Sequence, residues 1–353
     1  MNARGYIAVM LCWLLAGLPV HAQGFAGLGT SAEGFATPER GRALDFPQDH
    51  GPHPEYRVDG WYLTAVLTGE DGRDYGAQWT LFRSALAPGE GAGWDSRQVW
   101  MGHAGLTTPE AHFSAERFGR GGVGQAGVTA APFVAWIDDW HMTSRAAPGE
   151  DALDVLEVAA RGADFSYALE LRAEGPLVLH GDRGYSEKST EGQASYYYSQ
   201  PFFSVTGSLD LPEGSVAVTG QGWLDREWFS QALGEDQAGW DWVSLSLDDG
   251  HRMMAAQVRG TSLFTAGTWI TPDGTPTPLP DGAVRFTPLQ HTRLNGRDVP
   301  THWQIDWPEG GVAIMTEPLN AQAWMDLSVS YWEGPVRFTG SHAGRGYLEM
   351  TGY

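Results

Sequence analysis

Trp61-Tyr62-Leu63-Thr64-Ala65-Val66-Leu67, the pair Asp71-Gly72 and the answering run Gln78-Trp79-Thr80-Leu81-Phe82-Arg83 read as a β-hairpin. Short apolar runs suit a sheet, and a glycine after Asp accepts the positive φ of a tight turn. The design recurs: Trp240 to Leu247 leads into Asp249-Gly250, and Met253 to Arg259 returns. Both hairpins open with aromatic clusters, and both return strands contain Gln and close on Arg. Their separation is close to half the chain, which reads as two β domains of similar design; chance likeness between aromatic-rich hairpins is the competing reading. Elsewhere short runs broken by Gly, Asp and Pro dominate and helical periodicity is scarce, so the fold class is all-β, sandwich or barrel.

Composition narrows the function. The 353 residues carry 22 Lys+Arg against 43 Asp+Glu, a formal charge of −21, which disfavours partners rich in phosphate and anionic membrane surfaces. Lys188 is the only lysine and so the one candidate for Schiff-base chemistry; it sits between Glu187 and Ser189 without an evident apolar pocket. The single cysteine, Cys12, excludes disulfide scaffolds and Cys-ligated zinc.

Arg4, the apolar stretch Ile7 to Leu18 and the small-x-small triplet Val20-His21-Ala22 read as a cleaved signal peptide, residues 1–22. The expected location is periplasmic or secreted. A lead segment (23–44), an N-terminal domain (45–204) and a C-terminal domain (205–353) follow. Pro88 to Gly93, Gly119 to Gly127, Ala146 to Asp151 and Thr271 to Gly282 read as loops. No later segment has the continuous apolar length of a membrane-spanning helix.

Several motifs fail for lack of context. Gly119, Gly121 and Gly124 spell GxGxxG without a preceding strand or a following helix, and GxSxG and HExxH are absent. Asp49, His50 and His53 have spacing that suits a metal, but fixing a Gly-Pro loop through hydrogen bonds is the favoured reading, so no metal site is assigned.

Longer segments carry more information. They are Phe46-Pro47-Gln48-Asp49-His50-Gly51-Pro52-His53-Pro54-Glu55, Gly181-Asp182-Arg183-Gly184, Ser195-Tyr196-Tyr197-Tyr198-Ser199-Gln200-Pro201, Gly222-Trp223-Leu224-Asp225-Arg226-Glu227-Trp228, Gly239-Trp240-Asp241-Trp242, Tyr331-Trp332-Glu333-Gly334 and Gly346-Tyr347-Leu348-Glu349. Together they resemble the hydroxyneurosporene synthase (carotenoid 1,2-hydratase) family, and within it the exported AttH-like branch of lipocalin-like proteins. The resemblance implies two lipocalin-like β domains in tandem. For the hydratase branch it implies cofactor-free addition of water to a terminal isoprenoid double bond. For the AttH-like branch it implies a secreted protein often encoded beside an ABC exporter. The chain departs from the pattern twice: Asp59-Gly60-Trp61-Tyr62 replaces Glu-Trp-Trp-Tyr, and Arg226 stands where many relatives have the His implied to help place water.

Hydrating an alkene needs a proton donor, shelter for a carbocation and a placed water. A buried carboxylic acid and aromatic faces supply the first two. Asp225 and Glu227 are the candidate catalytic acids. On a strand they share a face while Trp228 points away. An ion-pair network with Arg226 or Arg183 that pins the domains is the blander reading of these acids, and the favoured one. Candidate ligand-binding aromatics are Trp61, Tyr62, Tyr196, Tyr198, Trp223, Trp228, Trp240, Trp242 and Tyr331, each weighed against simple core packing. His50, His53, Arg183 and Arg226 are assigned supporting roles, and His103 and His141 structural ones. The expected function is binding of an apolar isoprenoid or lipid-like ligand, as an accessory to an ABC transporter. The alternatives are a cofactor-free hydratase, lyase or isomerase and a non-catalytic transporter adaptor, the last predicting a filled cavity and an exposed apolar patch.

Overall fold

The computed structural model describes residues 32–231, 233–234 and 236–353. The expected signal peptide lies outside the described residues. The protein is all-β and forms two large antiparallel sheets.

The first hairpin forms as read: Val58–Gly69 pairs with Asp74–Ala85, with Trp61 opposite Leu81. The meander continues through Gln98–Thr107 and His112–Arg120. On its other side Val58–Gly69 pairs with the last strand of the sheet, Gly214–Phe229. That strand pairs with Ala194–Leu211, and the order continues through Ser166–Ala173, Val155–Arg161, Trp140–Ser144, Phe133–Ile137 and Ala126–Ala130. The second sheet repeats the plan. Gly239–Leu247, Arg252–Arg259, Leu263–Ile270 and Pro276–Leu279 form the meander. Gly239–Leu247 then pairs with the final strand, Gly344–Met350, followed by Tyr331–Gly340, Val312–Pro318, Arg297–Trp307 and Arg285–Leu294. In both halves the opening strand lies beside the closing one, the arrangement of a sheet curling on itself.

A division at 204/205 falls inside Ala194–Leu211. The chain leaves the first sheet after Phe229 and enters the second at Gly239. Pro201 does not end the strand, because a register shift between Gln200 and Phe203 absorbs it.

Val58–Gly69 is buried on both faces. Trp61, Leu63, Ala65 and Leu67 pack inside the first barrel, while Tyr62 and Val66 face the second domain. Gly239–Leu247 divides its side chains in the same way: Val243, Leu245 and Leu247 enter the second core, and Trp240 and Trp242, half-buried, face the first domain. Two glycines permit the close approach of opening and closing strands. A Cβ on Gly220 would lie 2.1 Å from the Val66 carbonyl oxygen, and one on Gly346 would lie 2.1 Å from that of Ser244.

Candidate active site

Between the two sheets lies a cleft of about 150 Å³. Its apolar walls include Tyr62, Phe82, Tyr197, Phe229, Trp240 and Trp242, and its ionisable groups are Asp225, Glu227, Glu349 and Lys188. Each domain supplies one side, so neither forms the cleft alone.

Asp225 stands on the closing strand of the first sheet, opposite Tyr62 and Ser199 on the strands to either side. Its Oδ1 accepts from the hydroxyls of Tyr197 (2.7 Å) and Ser199 and from the Trp223 indole (3.0 Å). Its Oδ2 is buried without a partner. Burial pushes Asp225 up to about 7 against those three donors, and the charge of Glu227 adds to the rise. With Oδ1 saturated by donors, the proton belongs on Oδ2.

Glu349 occupies the corresponding place in the second domain, opposite Trp242 and Glu333. Its Oε1 accepts from the Trp240 indole at 2.6 Å. Burial pushes it up to about 7; the bonds from Trp240 and Tyr62 oppose the rise, and the charges of Asp225 and Glu227 reinforce it. Glu333, deeper and fully buried, accepts from Tyr62 and is raised well above the usual carboxylate range by burial and by Glu349.

The sequence signal for Glu349, a member of the closing motif Gly346-Tyr347-Leu348-Glu349, is internal. Gly220-Gln221-Gly222-Trp223-Leu224-Asp225 and Gly344-Arg345-Gly346-Tyr347-Leu348-Glu349 share the pattern Gly-x-Gly-aromatic-Leu-acid. Each lies on the strand that closes its own sheet, which places one acid from each repeat at the cleft.

Glu227 also reaches the cleft, on the same face as Asp225 as expected. There it pairs with Lys188 at 2.6 Å and accepts from Ser195 at 2.5 Å. The lone lysine therefore does have an apolar setting, with its ammonium 4.9 Å from the centre of the Tyr197 ring. That setting combines Tyr197 of the first sheet with the Trp240 and Trp242 walls of the second. Among the described residues neither acid pairs with Arg226 or Arg183, the expected network; the ion pair that forms is Glu227 with Lys188. Arg183 is largely exposed and lies 3.6 Å from Asp182, so it supports no part of the cleft. Arg226 points into the first barrel.

Arg226 there pairs with Asp59 at 2.6 Å and lies 3.9 Å over the Trp61 ring. The Asp59 carboxylate also accepts from Arg83 Nε (2.6 Å), and His53 bridges Asp59 (2.9 Å) to Asp49 (3.0 Å). Burial opposes ionisation of Asp59, but the Arg83 and Arg226 guanidiniums outweigh it and hold the carboxyl far below the usual range. The two departures from the family pattern, Asp59 and Arg226, thus contact each other and form one buried pair. His50 bonds Tyr198 at 2.7 Å and faces Asp151 at 3.2 Å. The histidine loop is tied into the first barrel.

Of the aromatics expected at a ligand, Tyr62, Trp240 and Trp242 line the cleft and Trp223 stands behind it on Asp225. Tyr331 lies deeper, stacked on His103. Trp61, Tyr196, Tyr198 and Trp228 point instead into the first barrel core, where Trp228 stacks on His53 at 4.0 Å. The alternation within Tyr196-Tyr197-Tyr198 holds with the opposite parity: the middle tyrosine faces the cleft. Tyr196 bonds both the amide and the carbonyl of Glu39, fastening the lead segment.

The AttH-like family model matches residues 37–353. An AttH protein from Nitrosomonas europaea is 32% identical with a TM-score of 0.80, covering 90% of this chain and 99% of that one. Kievitone hydratase from Nectria haematococca shares the fold at 14% identity and a TM-score of 0.66, over 90% and 97% of the two chains. CghA, solved with Sch210972, shares it at 14% identity and a TM-score of 0.55, over 91% and 97%. No curated protein matches the chain. The chain belongs to the AttH-like family.

Proposed function

We propose that the cleft is a cofactor-free acid–base site that adds water to, eliminates it from, or isomerises a carbon–carbon double bond in an apolar, conjugated or isoprenoid-like molecule. The observation that carries this reading is the pair of buried carboxyls, Asp225 and Glu349, facing one aromatic-walled cleft with ordinary values displaced to about 7. A carrier needs the walls and has no use for such acids. The hydratase name of a structural neighbour agrees with the reading without carrying it.

In the hydration direction, the Asp225 carboxyl proton passes to one alkene carbon and a C–H bond forms as the π bond is consumed. The cation on the other carbon lies among Tyr62, Tyr197, Trp240 and Trp242, whose faces stabilise it. Water forms the C–O bond and releases its proton to the Glu349 carboxylate; once the product leaves, proton exchange with water in the cleft returns Asp225 to the acid and Glu349 to the carboxylate. Acids poised near the working pH suit both transfers. Export through the signal peptide, and service to an ABC transporter, belong to this proposal as the setting in which the ligand is met.

The test starts with mass spectrometry of lipids extracted from the purified protein, with a denatured sample as background. The compound found is then incubated in ¹⁸O-labelled water or D₂O. Isotope uptake that is lost in Asp225→Asn and Glu349→Gln is the expected result. A bound ligand recovered without either isotope would replace the enzyme by a carrier, the reading that the aromatic walls alone would favour.

A further inference from the structure

The reaction proposed above uses Asp225 and Glu349 and gives Lys188 and Glu227 no task, although all four line the same cleft. Their settings differ. Asp225 and Glu349 are buried, whereas the side chains of Lys188 and Glu227 keep 22% and 28% of their surface in solvent. The cleft thus has a dry, acidic depth and an exposed, charged rim, joined by aromatic walls. A ligand that is apolar throughout would take water from the two rim charges and offer them nothing in exchange.

The rim pair is held in place. Lys188 Nζ lies 2.6 Å from Glu227 Oε1 and 4.9 Å from the centre of the Tyr197 ring, and Ser195 donates to the same Oε1 at 2.5 Å. The Lys188 amide donates to the Gln193 carbonyl at 2.8 Å, and the Lys188 carbonyl accepts at 3.4 Å from Gln237, on the link between the two sheets. An ammonium has three donors and a carboxylate about four acceptor sites, and the bonds among the described residues use only part of each set.

We propose that Lys188 and Glu227 anchor a neutral head group that both donates and accepts a hydrogen bond, so that the molecule taken by the cleft is an apolar alcohol. A hydroxyl donates to Glu227 and accepts from Lys188, and one small group thereby meets both charges. An ether or ketone only accepts and leaves Glu227 unserved. A carboxylate head would sit beside Glu227 in a cleft that holds two further acids, and an ammonium head would face Lys188. Glu227 and Asp225 are two residues apart on one face of their strand, about 7 Å along it. With its head at the rim, the apolar chain runs inward past Asp225, between Tyr62, Tyr197, Trp240 and Trp242.

The inference rests on the cleft being the ligand site, and not on the chemistry proposed there. Full-chain Asp225→Asn protein, in which that chemistry is silenced, is dialysed to equilibrium against farnesol, its methyl ether, farnesoic acid and farnesylamine, four heads on one chain. Farnesol should bind about tenfold or more tighter than each of the others, the measure of one hydrogen bond to a charged group. Adding Lys188→Met and Glu227→Leu together removes both charges and strands neither. The preference for farnesol over the ether should then vanish while the ether binds as before. Equal binding of farnesol and the ether with the native pair present, tighter binding of the acid or the amine, or a preference that survives removal of the pair would each overturn the anchor. Failure of all four compounds to bind would overturn it together with the ligand site. The comparison of heads needs no change at the rim, so it decides the matter where the pair cannot be removed without unfolding. A clear preference for the alcohol, with no isotope uptake by the wild type, leaves the anchor standing and removes the reaction. Isotope uptake without any preference does the reverse.

Discussion

Asp225→Asn should stabilise the protein increasingly as pH rises while abolishing its chemistry. The folded state holds the Asp225 proton until about pH 7, whereas the ordinary value is 3.8. Across that window the folded chain keeps a proton that the unfolded chain has released, so wild-type stability falls as pH rises and levels off above about 7. At about 1.36 kcal/mol for each decade of proton affinity, the window from 3.8 to about 7 corresponds to roughly 4 kcal/mol. Asparagine keeps the side-chain oxygen that accepts from Tyr197, Ser199 and Trp223, and its amide takes the unpartnered Oδ2 position, so the variant mimics the protonated acid. Removing the Asp225 charge also relieves Glu349, a smaller contribution of the same sign. Guanidinium unfolding of both proteins at pH about 4 and about 8 measures the effect: little difference in the wild-type loss at the acid end, and several kcal/mol in favour of the variant at the alkaline end. A difference that does not change with pH would refute the burial argument for Asp225, and with it the case for that residue as the proton donor.

Arg226→Met should cost about 3–5 kcal/mol in unfolding experiments, because it leaves the buried Asp59 short of one of its two guanidiniums. Gly346→Ala should lower the thermal midpoint markedly, with a loss of about 2 kcal/mol or more measurable by calorimetry, since the new Cβ meets the Ser244 carbonyl oxygen at 2.1 Å. Once a substrate is in hand, kcat/KM should follow a bell centred near pH 7, with Asp225→Asn and Glu349→Gln each leaving only a small residual rate across the profile.

The parts of this protein legible in the sequence are those governed by local rules. Asp71-Gly72 and Asp249-Gly250 fix two turns, and strand alternation puts Asp225 and Glu227 on one face with Trp228 on the other. The illegible parts depend on what the chain packs against. Val58–Gly69 is buried on both sides, so its hydrophobicity cannot say whether Trp61 or Tyr62 faces the partner domain. The parity of Tyr196-Tyr197-Tyr198 is undecided for the same reason. The cleft around Lys188 is completed by Trp240 and Trp242, on a strand of the other sheet. The ion-pair network of Asp225 and Glu227 with Arg226 that would pin the domains does not form, because successive residues of a strand point to opposite faces. Glu349 was within reach of the sequence through the Gly-x-Gly-aromatic-Leu-acid repeat, but the exchange of Trp for Tyr and Asp for Glu concealed it.

That repeat has a consequence for how acid and base came to differ. Two identical halves meeting as a symmetric pair would carry the same carboxyl in the same surroundings, and neither could be specialised as giver or receiver of a proton. A single covalent chain releases each copy from that constraint. In this protein Ser199 stands opposite Asp225 on the neighbouring strand, and Glu333 holds the matching position opposite Glu349. On the acid–base reading proposed for the cleft, this difference in surroundings lets two like carboxyls serve as unlike partners in proton transfer.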